Sequence, residues 1–343
     1  MRRHGDLDQL EIADVPKPTL SRPNDVLIGL RAAALNHLDL WTLRGLPGLT
    51  LKFPHALGGD GAGTVVEVGT EVTDLRAGDR VMFNPGISCY RCEYCLAGEH
   101  SLCTSYRLLG EHVSGTLAEC VILPRQNVAR IPDPPDGPVT WPEAAAFSLV
   151  TLTAWRMIVT QACVRPGERV LIWGIGGGVS SAALCIAKLA GAFVIVTSSS
   201  DEKLAVAREL GADVTINHAS ADVLKTVRGL TQRRGVDVVI DNVGEATWET
   251  SLRVLGRGGR LVTCGGTSGA RVVTDVRRLF WYQWSIMGST MGNAREYGEI
   301  VRLLGQGHLR PLVDSTYPLE RAVEALERLR SGDQMGKLVV EIV

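Results

Sequence analysis

The second half of the chain alternates between short apolar runs and segments with helical periodicity. RVLIW (169–173) is followed by a glycine-rich stretch and by a helical pattern over 179–192. Further apolar runs are FVIVT (193–197), VTIN (214–217), VDVVID (236–241) and GRLVTCG (259–265). Uninterrupted apolar strands that alternate with helices are typical of a parallel sheet covered on both faces. The pattern therefore predicts an α/β domain built on such a sheet.

The N-terminal part of the chain has a different character. It is rich in glycine, in proline and in short β-branched runs bounded by turn residues, at 25–35, 61–69, 79–83 and 118–124. Such runs predict a compact, mostly β domain, which ends at the proline-rich connector 131–139. At the other end of the chain, GKLVVEIV (336–343) predicts a strand that needs a partner sheet.

The glycine-rich stretch lies between a predicted strand and a predicted helix, in VLIWGIGGGVSSAA (170–183). Such a turn lets backbone N–H groups approach a pyrophosphate at the start of the helix, where the helix dipole favours negative charge. We predict dinucleotide binding by Gly174, Gly176, Gly177, Gly178 and Val179. The pattern is imperfect, because Ser180 stands where a third glycine would allow close helix packing.

The end of the second strand indicates which dinucleotide is bound. An acidic residue there would hold a ribose 2′-hydroxyl and repel a 2′-phosphate, but this chain has Ser198, with Lys203 shortly after it. Hydroxyl groups and a cation suit a 2′-phosphate, so NADP(H) is predicted over NAD(H). Asp201 and Glu202 lie close by in the sequence and leave open a simpler interpretation, a capped helix start.

Four of the eight cysteines lie within eighteen residues, in the pattern C-x2-C-x2-C-x7-C. In a reducing compartment, cysteines so spaced are more typical of metal ligands than of disulfides. Four thiolates close a tetrahedron around Zn²⁺ and leave no position for water or substrate. The pattern predicts one structural zinc ion, with a disulfide pair or free thiols as the alternatives, on Cys89, Cys92, Cys95 and Cys103.

These features together resemble the medium-chain dehydrogenase/reductase superfamily, which includes zinc alcohol dehydrogenases and zinc-free quinone oxidoreductases. The resemblance rests on LGGDGAGTVVEVG (57–69), GDRV (78–81), GTLAEC (115–120), TLTAW (151–155), DVVIDNVG (237–244) and GKLVV (336–340), with the cysteine lobe and the glycine loop. It implies a GroES-like catalytic domain (1–150 and 289–343, with the zinc lobe at 86–104). A Rossmann domain with a doubly wound parallel sheet (151–288) would be inserted into it, with the active site in the cleft.

The resemblance also assigns residues. It implies that His37 contacts the cofactor pyrophosphate and that Asn242, Gly265 and Gly266 flank the bound dinucleotide. The zinc alcohol dehydrogenases bind a catalytic zinc ion with a cysteine, a histidine and a third ligand, but the matching positions here are Asn36, Gly59 and Leu149. None of these three residues completes a zinc site of that kind.

A displaced metal site stays open as an alternative. His37, Asp39, His55, Asp60 and His112 are residue types that bind metals, although no spacing in the sequence forces them together. His112 has an alternative role as a residue that lines the cleft or caps its loop.

Without a metal, the expected substrates are carbonyl compounds already activated by conjugation. The sequence predicts an NADPH-dependent oxidoreductase that transfers hydride to a quinone or an α,β-unsaturated carbonyl. The candidate catalytic residues are Asn36, Asp39 and Asp60, with Asn36 as a hydrogen-bond donor. The alternatives are a zinc-dependent alcohol dehydrogenase with an atypical metal site and a non-enzymatic NADPH-binding protein.

The formal net charge of −1 gives no electrostatic basis for binding nucleic acid or an anionic membrane. No apolar stretch approaches the roughly 18 residues of a membrane helix, and the polar start lacks the apolar core of a signal peptide. We expect a cytoplasmic protein that acts on a small molecule. The resemblance implies a homodimer or a homotetramer.

Overall fold

The structure, a computed structural model, describes residues 1–342. It divides into two compact units, of which unit 1 comprises Met1–Leu152 with Met291–Val343 and unit 2 comprises Thr153–Thr290. Val343, the last residue of the predicted C-terminal strand, lies outside the described residues. Within residues 1–342, no helix combines the length and the apolar character needed to cross a membrane.

Unit 1 is built mainly from strands. Its elements before unit 2 are β1 (Asp25–Ala34), α1 (His37–Arg44), β2 (Asp60–Val68), β3 (Arg80–Phe83), β4 (Gly86–Ile87), α2 (Glu93–Leu96), β5 (Arg107–Leu108), β6 (Cys120–Pro124), β7 (Val128–Arg130) and α3 (Trp141–Trp155).

Unit 2 alternates between strands and helices. Its elements are β8 (Arg169–Ile172), α4 (Gly178–Leu189), β9 (Phe193–Ser198), α5 (Asp201–Glu209), β10 (Val214–Asn217), α6 (Val223–Leu230), β11 (Val236–Asp241), α7 (Trp248–Val254), β12 (Leu255–Thr263), α8 (Val276–Tyr282) and β13 (Ser285–Gly288). The chain then returns to unit 1 with α9 (Ala294–Gly305), β14 (Val313–Pro318), α10 (Ala322–Ser331) and β15 (Lys337–Glu341).

The main sheet of unit 1 has seven strands in the order β14-β15-β1-β2-β3-β7, with β6 paired to β1. The strand β15 provides the partner that the C-terminal segment needs, because it pairs antiparallel with β1 and parallel with β14. One face of the sheet buries a core that includes Val26, Ile28, Val81, Phe83 and Leu123.

Close contact between β1 and β2 depends on glycine. A Cβ atom on Gly63 would lie 2.1 Å from the carbonyl oxygen of Gly29, on the neighbouring strand. A Cβ atom on Gly61 would lie 3.0 Å from the Phe83 ring. Gly61 and Gly63 are therefore required by the packing of β2 against its neighbours.

The sheet of unit 2 is parallel, with the strand order β10-β9-β8-β11-β12-β13, and this confirms the predicted doubly wound sheet. Helices are needed to connect parallel strands, and they cover the apolar strands on both faces. The core includes Leu171, Ile195, Val239, Leu261 and Trp248.

One predicted element differs in form. The residues 141–162 have the pattern of a helical stretch, in which α3 ends at Trp155 and a π-helix follows over Arg156–Gln161. The wider turn is not visible in the apolar periodicity, which continues through both parts. The boundary between the two units falls inside α3, between Leu152 and Thr153.

The glycine contact gives a prediction about stability. Gly63→Ala places a methyl group against the backbone of β1, so we expect the free energy of unfolding of unit 1 to fall by about 1–3 kcal/mol. Gly298→Ala is the matched control, because Gly298 is an exposed residue of α9 with open space around it. Alanine is more favourable than glycine in a helix by up to about 1 kcal/mol, so this variant should not lose stability. Urea unfolding of both variants measures the difference. Equal stability of the two would contradict this account of β2.

Candidate active site

The carboxyl edge of the sheet in unit 2 gathers the predicted dinucleotide residues. The strand order reverses between β8 and β11, and ligands of open parallel sheets bind outside the strand ends at such a reversal. The glycine loop follows β8, Ser198 ends β9, Asn242 follows β11, and Gly265 and Gly266 follow β12. The fold therefore brings these four segments to one edge.

The glycine loop leaves open space above its backbone. Gly174 has a φ of +63°, and a Cβ atom there would meet nothing closer than a Val243 methyl group at 3.8 Å. Gly177 is the N-cap of α4, and a Cβ atom there would meet only the Gly174 carbonyl oxygen, at 3.7 Å. A side chain at either position would occupy this space. The N-terminus of α4 at Gly178 and Val179 thus has a cradle of the kind a pyrophosphate needs.

Ser180 has a direct role at the position where the motif expects glycine. Its side chain is buried, and its hydroxyl donates to the carbonyl oxygen of Trp173 over 2.8 Å. The same hydroxyl accepts a hydrogen bond from Asn242 Nδ2 at 3.4 Å. Ser180 therefore connects α4 to the residues that follow β8 and β11. A serine in place of the third glycine of the motif is thus compatible with close packing of this helix.

Sequence reasoning missed Asp241, which fixes the loop that carries Asn242. Its carboxylate is fully buried and accepts hydrogen bonds from the backbone of Val243 and Gly244 and from the hydroxyls of Thr247 and Ser251, over 2.7–3.0 Å. A buried carboxylate needs such partners. The available signal was an acidic residue at the end of β11, directly after the apolar run 238–240.

The candidate 2′-phosphate site begins at the end of β9. The Ser198 side chain is mostly buried, and its hydroxyl oxygen accepts the N–H of Ser200 at 3.1 Å, which leaves the hydroxyl hydrogen available as a donor. Lys203 lies in the first turn of α5, two residues after the start at Asp201. Of the two acidic neighbours, Asp201 accepts a hydrogen bond from Asn217 and Glu202 accepts one from Ser200.

The four predicted zinc ligands in unit 1 lie together. The sulfur atoms of Cys89, Cys92, Cys95 and Cys103 lie within 4.8 Å of one another, and those of Cys89 and Cys95 are 4.0 Å apart. A tetrahedral zinc site with Zn–S bonds of 2.3 Å requires sulfur atoms about 3.8 Å apart, whereas a disulfide requires about 2.05 Å. Backbone N–H groups lower the pKa of Cys89 to about 6, which favours its thiolate. The geometry fits a zinc ion and not a disulfide.

A cavity of 550 Å³ lies beside this lobe. Cys89 lines it together with three arginines, Arg22, Arg91 and Arg107. A zinc ion with four thiolate ligands has a net negative charge, and the guanidinium groups would balance it.

A cluster of buried polar side chains lies where β1 ends in unit 1. Asn36 is 6% exposed, Asp60 is 0% exposed and Lys337 is 3% exposed. Asn36 Nδ2 donates to Asp60 Oδ2 over 3.0 Å, and the Lys337 ammonium donates to Asn36 Oδ1 and, over 3.1 Å, to Asp60 Oδ2. The three groups therefore close a ring of hydrogen bonds around a buried ion pair.

Sequence reasoning did not assign a role to Lys337, although the lysine that opens the apolar strand GKLVV was a signal. Burial lowers the pKa of Lys337, and the charge of Asp60 and its hydrogen bond oppose that shift. Asp39 lies behind the cluster and accepts the backbone N–H groups of Asn36 and Gly58, both over 2.8 Å. Burial raises the pKa of Asp39 to about 6.

The positions of the three missing zinc ligands converge on this cluster. Leu149 donates its backbone N–H to Asp60 Oδ1 over 2.8 Å, and Gly59 directly precedes Asp60. A Cβ atom on Gly59 would lie 3.0 Å from a methyl carbon of Leu149 and 4.0 Å from one of Leu38. The carbonyl oxygen of Leu109 lies 3.3 Å from the same Cβ position, so two leucine side chains and one backbone carbonyl group bound the space beside Gly59.

Two of the remaining candidate ligands, His55 and His112, have hydrogen-bond partners elsewhere in unit 1. His55 Nε2 contacts the carbonyl oxygen of Gly110 at 3.0 Å, and His112 Nδ1 accepts the N–H of Leu108 at 3.2 Å. His37 is the first residue of α1, and burial lowers its pKa. Within residues 1–342, the four cysteines of the lobe are the one set of three or more His, Cys, Asp or Glu side chains that could share an ion.

Known protein families match both units of the chain. A family model described as an alcohol dehydrogenase GroES-like domain matches residues 22–133, and one described as a zinc-binding dehydrogenase matches residues 178–306. An NAD-dependent alcohol dehydrogenase of Sulfurisphaera tokodaii is 33% identical over 345 residues, covering 97% of this chain and 96% of the relative. The chain belongs to the medium-chain dehydrogenase/reductase superfamily.

Two solved structures show the same relationship. The crystal structure of an NAD-dependent alcohol dehydrogenase has a TM-score of 0.95 and 44% identity, and the match covers 100% of this chain and 98% of that chain. A 2-octenoyl-CoA carboxylase reductase in complex with NADP and 2-octenoyl-CoA has a TM-score of 0.88 and 30% identity, with 98% and 82% coverage. The protein is an oxidoreductase of this superfamily, zinc alcohol dehydrogenase-like, with a GroES-like domain and a Rossmann-type domain.

The resemblance to zinc alcohol dehydrogenases implies two zinc ions, one structural and one catalytic. The residues of this chain fit only the structural one. The four cysteines supply four thiolates at tetrahedral spacing. At the other position, Gly59 and Leu149 have no donor atoms, and the only side-chain oxygen of Asn36 accepts a hydrogen bond from the Lys337 ammonium. These residues do not fit a catalytic zinc ion.

The cysteine lobe gives a prediction about metal content. Cys95→Ser removes one thiolate from a buried site, so we expect the protein to lose its bound zinc and the melting temperature to fall by roughly 5–10 °C. Cys163→Ser is the control, because Cys163 is exposed and lies outside the lobe. Elemental analysis and thermal unfolding measure both effects. Retention of one zinc ion per chain by Cys95→Ser would show that the metal is bound elsewhere.

Proposed function

We propose that this oxidoreductase transfers hydride from NADPH to a quinone or an α,β-unsaturated carbonyl compound without a catalytic metal, and that its zinc ion is structural. The observation that carries the proposal is the chemistry of Asn36, Gly59 and Leu149. They lie around one buried cluster and supply no donor set for a metal.

The substrate class follows from this chemistry. Removal of hydride from a simple alcohol requires a strong Lewis acid or a base to stabilise the alkoxide. A conjugated acceptor needs less assistance, because hydride addition places negative charge on an oxygen that hydrogen-bond donors can stabilise. Donors are available in unit 1, and a metal site of the required type is not supported by the residues present.

We assign Asn36, Asp39 and Asp60 to the reaction site. The bond from Asn36 Nδ2 to the Ala34 carbonyl oxygen is long, at 3.3 Å, so this N–H can exchange its partner for a substrate oxygen. Asp60 holds the other N–H of the same amide group, and Asp39 holds the backbone at Asn36. The two carboxylates thus orient the donor.

For the cofactor, we propose NADP(H) bound by the glycine loop (174–179), Ser198, Lys203, Asn242, Gly265 and Gly266, with His37 contributing from unit 1. The open space at Gly174 and Gly177 and the hydroxyl hydrogen of Ser198 support this assignment. The 2-octenoyl-CoA carboxylase reductase, whose structure contains NADP and an unsaturated thioester, supports both the cofactor and the substrate class.

A zinc-dependent alcohol dehydrogenase is the second candidate. It is favoured by the names of two similar proteins, the Sulfurisphaera tokodaii relative and the solved structure with a TM-score of 0.95, both NAD-dependent alcohol dehydrogenases. The residues at the three catalytic zinc positions, Asn36, Gly59 and Leu149, argue against a zinc-dependent alcohol dehydrogenase for this chain.

We also propose that the protein is a homodimer or a homotetramer. The edge strand β13 follows α8, whose Phe280 and Trp281 are 63% and 65% exposed. Large exposed aromatic side chains beside an unpaired strand edge support association between copies of the chain.

A kinetic and metal-content experiment tests the function. We expect NADPH oxidation with quinones and enones, no oxidation of simple alcohols, and one zinc ion per chain by elemental analysis. The zinc chelator 1,10-phenanthroline should leave the initial rate unchanged while the lobe retains its ion. Two zinc ions per chain, or a rate abolished by a chelator that leaves the fold intact, would support the alcohol dehydrogenase instead.

Cofactor preference is tested at the end of β9. Ser198→Asp places a carboxylate where a 2′-phosphate is proposed to lie, so NADPH affinity should fall by about tenfold or more while NADH affinity rises. Ser220→Asp is the matched control, because Ser220 is an exposed serine beyond the end of the neighbouring strand β10. Fluorescence titration measures the dissociation constants. An unchanged NADPH affinity in Ser198→Asp would refute the assignment of Ser198.

A further inference from the structure

The cavity beside the cysteine lobe is formed by four segments that are separate in the sequence. Its lining residues lie within 22–24 before β1, 87–91 from the end of β4, 105–107 at the start of β5 and 124–126 at the end of β6. Its volume of 550 Å³ lies within the usual range of small-molecule sites, roughly 300–1,000 Å³. The cavity therefore has room for an organic molecule and not only for a single ion.

Strand pairing and a buried amide group hold these segments together. β4 pairs with β5, and β1 pairs with β6. Asn127, which follows β6 and is 1% exposed, connects the two pairs of strands. Its side-chain amide donates to the carbonyl oxygens of Asn84 and Gly86, over 2.8 and 2.7 Å. The shape of the cavity is thus set by the fold of unit 1.

Three arginines supply the charge of the cavity. Arg22, Arg91 and Arg107 are exposed, and among the lining residues within 1–342 there is no aspartate or glutamate. None of the three guanidinium groups forms an ion pair or a hydrogen bond with another residue of the described chain. Arg125, close by in the sequence, differs because it donates two hydrogen bonds to Asp74. The three guanidinium groups are therefore available to a ligand.

The charge of the zinc lobe accounts for only part of this arrangement. A zinc ion with four thiolate ligands has two excess negative charges, and of the four cysteines only Cys89 lines the cavity. Two guanidinium groups balance those charges, and the third is left without a counter-ion. Because like charges around one cavity repel each other, an anion that binds between them is favoured.

The other lining residues indicate which anion fits. Guanidinium groups bind phosphate oxygens in pairs, and the double charge of a phosphate monoester suits several cations at once. Ser105, Asn24 and Gln126 add polar side chains. Ile87 and Pro124, which are both buried, add apolar surface. An inorganic phosphate ion gains nothing from apolar surface, whereas the organic part of a phosphate ester can cover it.

We propose that this cavity is a binding site for a small organic phosphate monoester, with the phosphate group held by Arg22, Arg91 and Arg107. The site lies in unit 1 and shares no residue with the proposed dinucleotide site, so it is a second ligand site. Because Cys89 lines the cavity, the ligand contacts the zinc lobe and stabilises it. The inference concerns binding alone and holds whichever substrate the oxidoreductase reduces.

Calorimetric titration of the zinc-loaded protein tests the site. Saturating NADP⁺ or NAD⁺, whichever binds more tightly, is present so that the dinucleotide site is filled. AMP is the probe, and we expect it to bind at one site per chain with an affinity that falls as salt is added. Adenosine, which lacks the phosphate group, should not bind. Inorganic phosphate, which lacks the organic part, should bind at least about tenfold more weakly than AMP.

Two variants remove the proposed phosphate donors one at a time. We expect Arg91→Gln and Arg107→Gln each to weaken AMP binding by about tenfold, because each removes a charge-assisted hydrogen bond. Arg31→Gln is the matched control, since Arg31 is an exposed arginine of β1 that does not line the cavity. This control should bind AMP as tightly as the wild-type protein.

The alternative is that the arginines only balance the charge of the zinc site, and Arg107→Lys separates the two roles. Lysine keeps the positive charge but lacks the planar pair of donors that matches a phosphate. We expect Arg107→Lys to retain one zinc ion per chain by elemental analysis, while its affinity for AMP falls severalfold.

Four results would overturn the proposal. Absence of AMP binding to the wild-type protein would remove the site, and wild-type affinity in both glutamine variants would show that AMP binds elsewhere. Equal affinity for AMP and inorganic phosphate would exclude an organic ester as the ligand. An affinity that falls only in variants that have lost their zinc would leave the arginines as counter-ions of the metal site.

Discussion

The antiparallel pairing of β15 with β1 is the contact on which the candidate site of unit 1 depends. The register places Ala34 opposite Val339, and Leu35 donates its N–H to the Leu338 carbonyl oxygen. Lys337 is therefore held beside Asn36, although 301 positions separate them in the sequence. Leu338 and Val340 bury their side chains in a core shared with α1 and α10, which secures the register.

A buried carboxylate organises each unit. Asp60 accepts hydrogen bonds from Asn36, Lys337 and the backbone of Leu149, and Asp241 holds the loop that carries Asn242. Removal of one partner from a buried ion pair lowers the free energy of unfolding by about 3–5 kcal/mol, because the other charge is left without compensation. The stability of unit 1 therefore depends on keeping the charges of Asp60 and Lys337 balanced.

Much of the fold could be predicted from local pattern. The parallel strands β8, β9 and β11 could be predicted because each contains a short run of mostly apolar residues, and the spacing from Cys89 to Cys103 indicated a zinc lobe. β14 was missed because its residues, VDSTYP, are half-buried and polar, and they form a strand only beside β15. The π-helix after Trp155 was missed because apolar periodicity does not report the width of a helical turn.

The sequence by itself determined the superfamily, the two kinds of domain and the absence of ligand side chains at Asn36, Gly59 and Leu149, since these depend on residue type and spacing. Only the tertiary structure showed which charged side chains lie beside those three positions. Lys337 and Asp60 meet through strand pairing across most of the chain, and no local signal encodes such a contact. Burial then gives the pair its chemical significance, because a charge that water does not reach must be balanced by its neighbours.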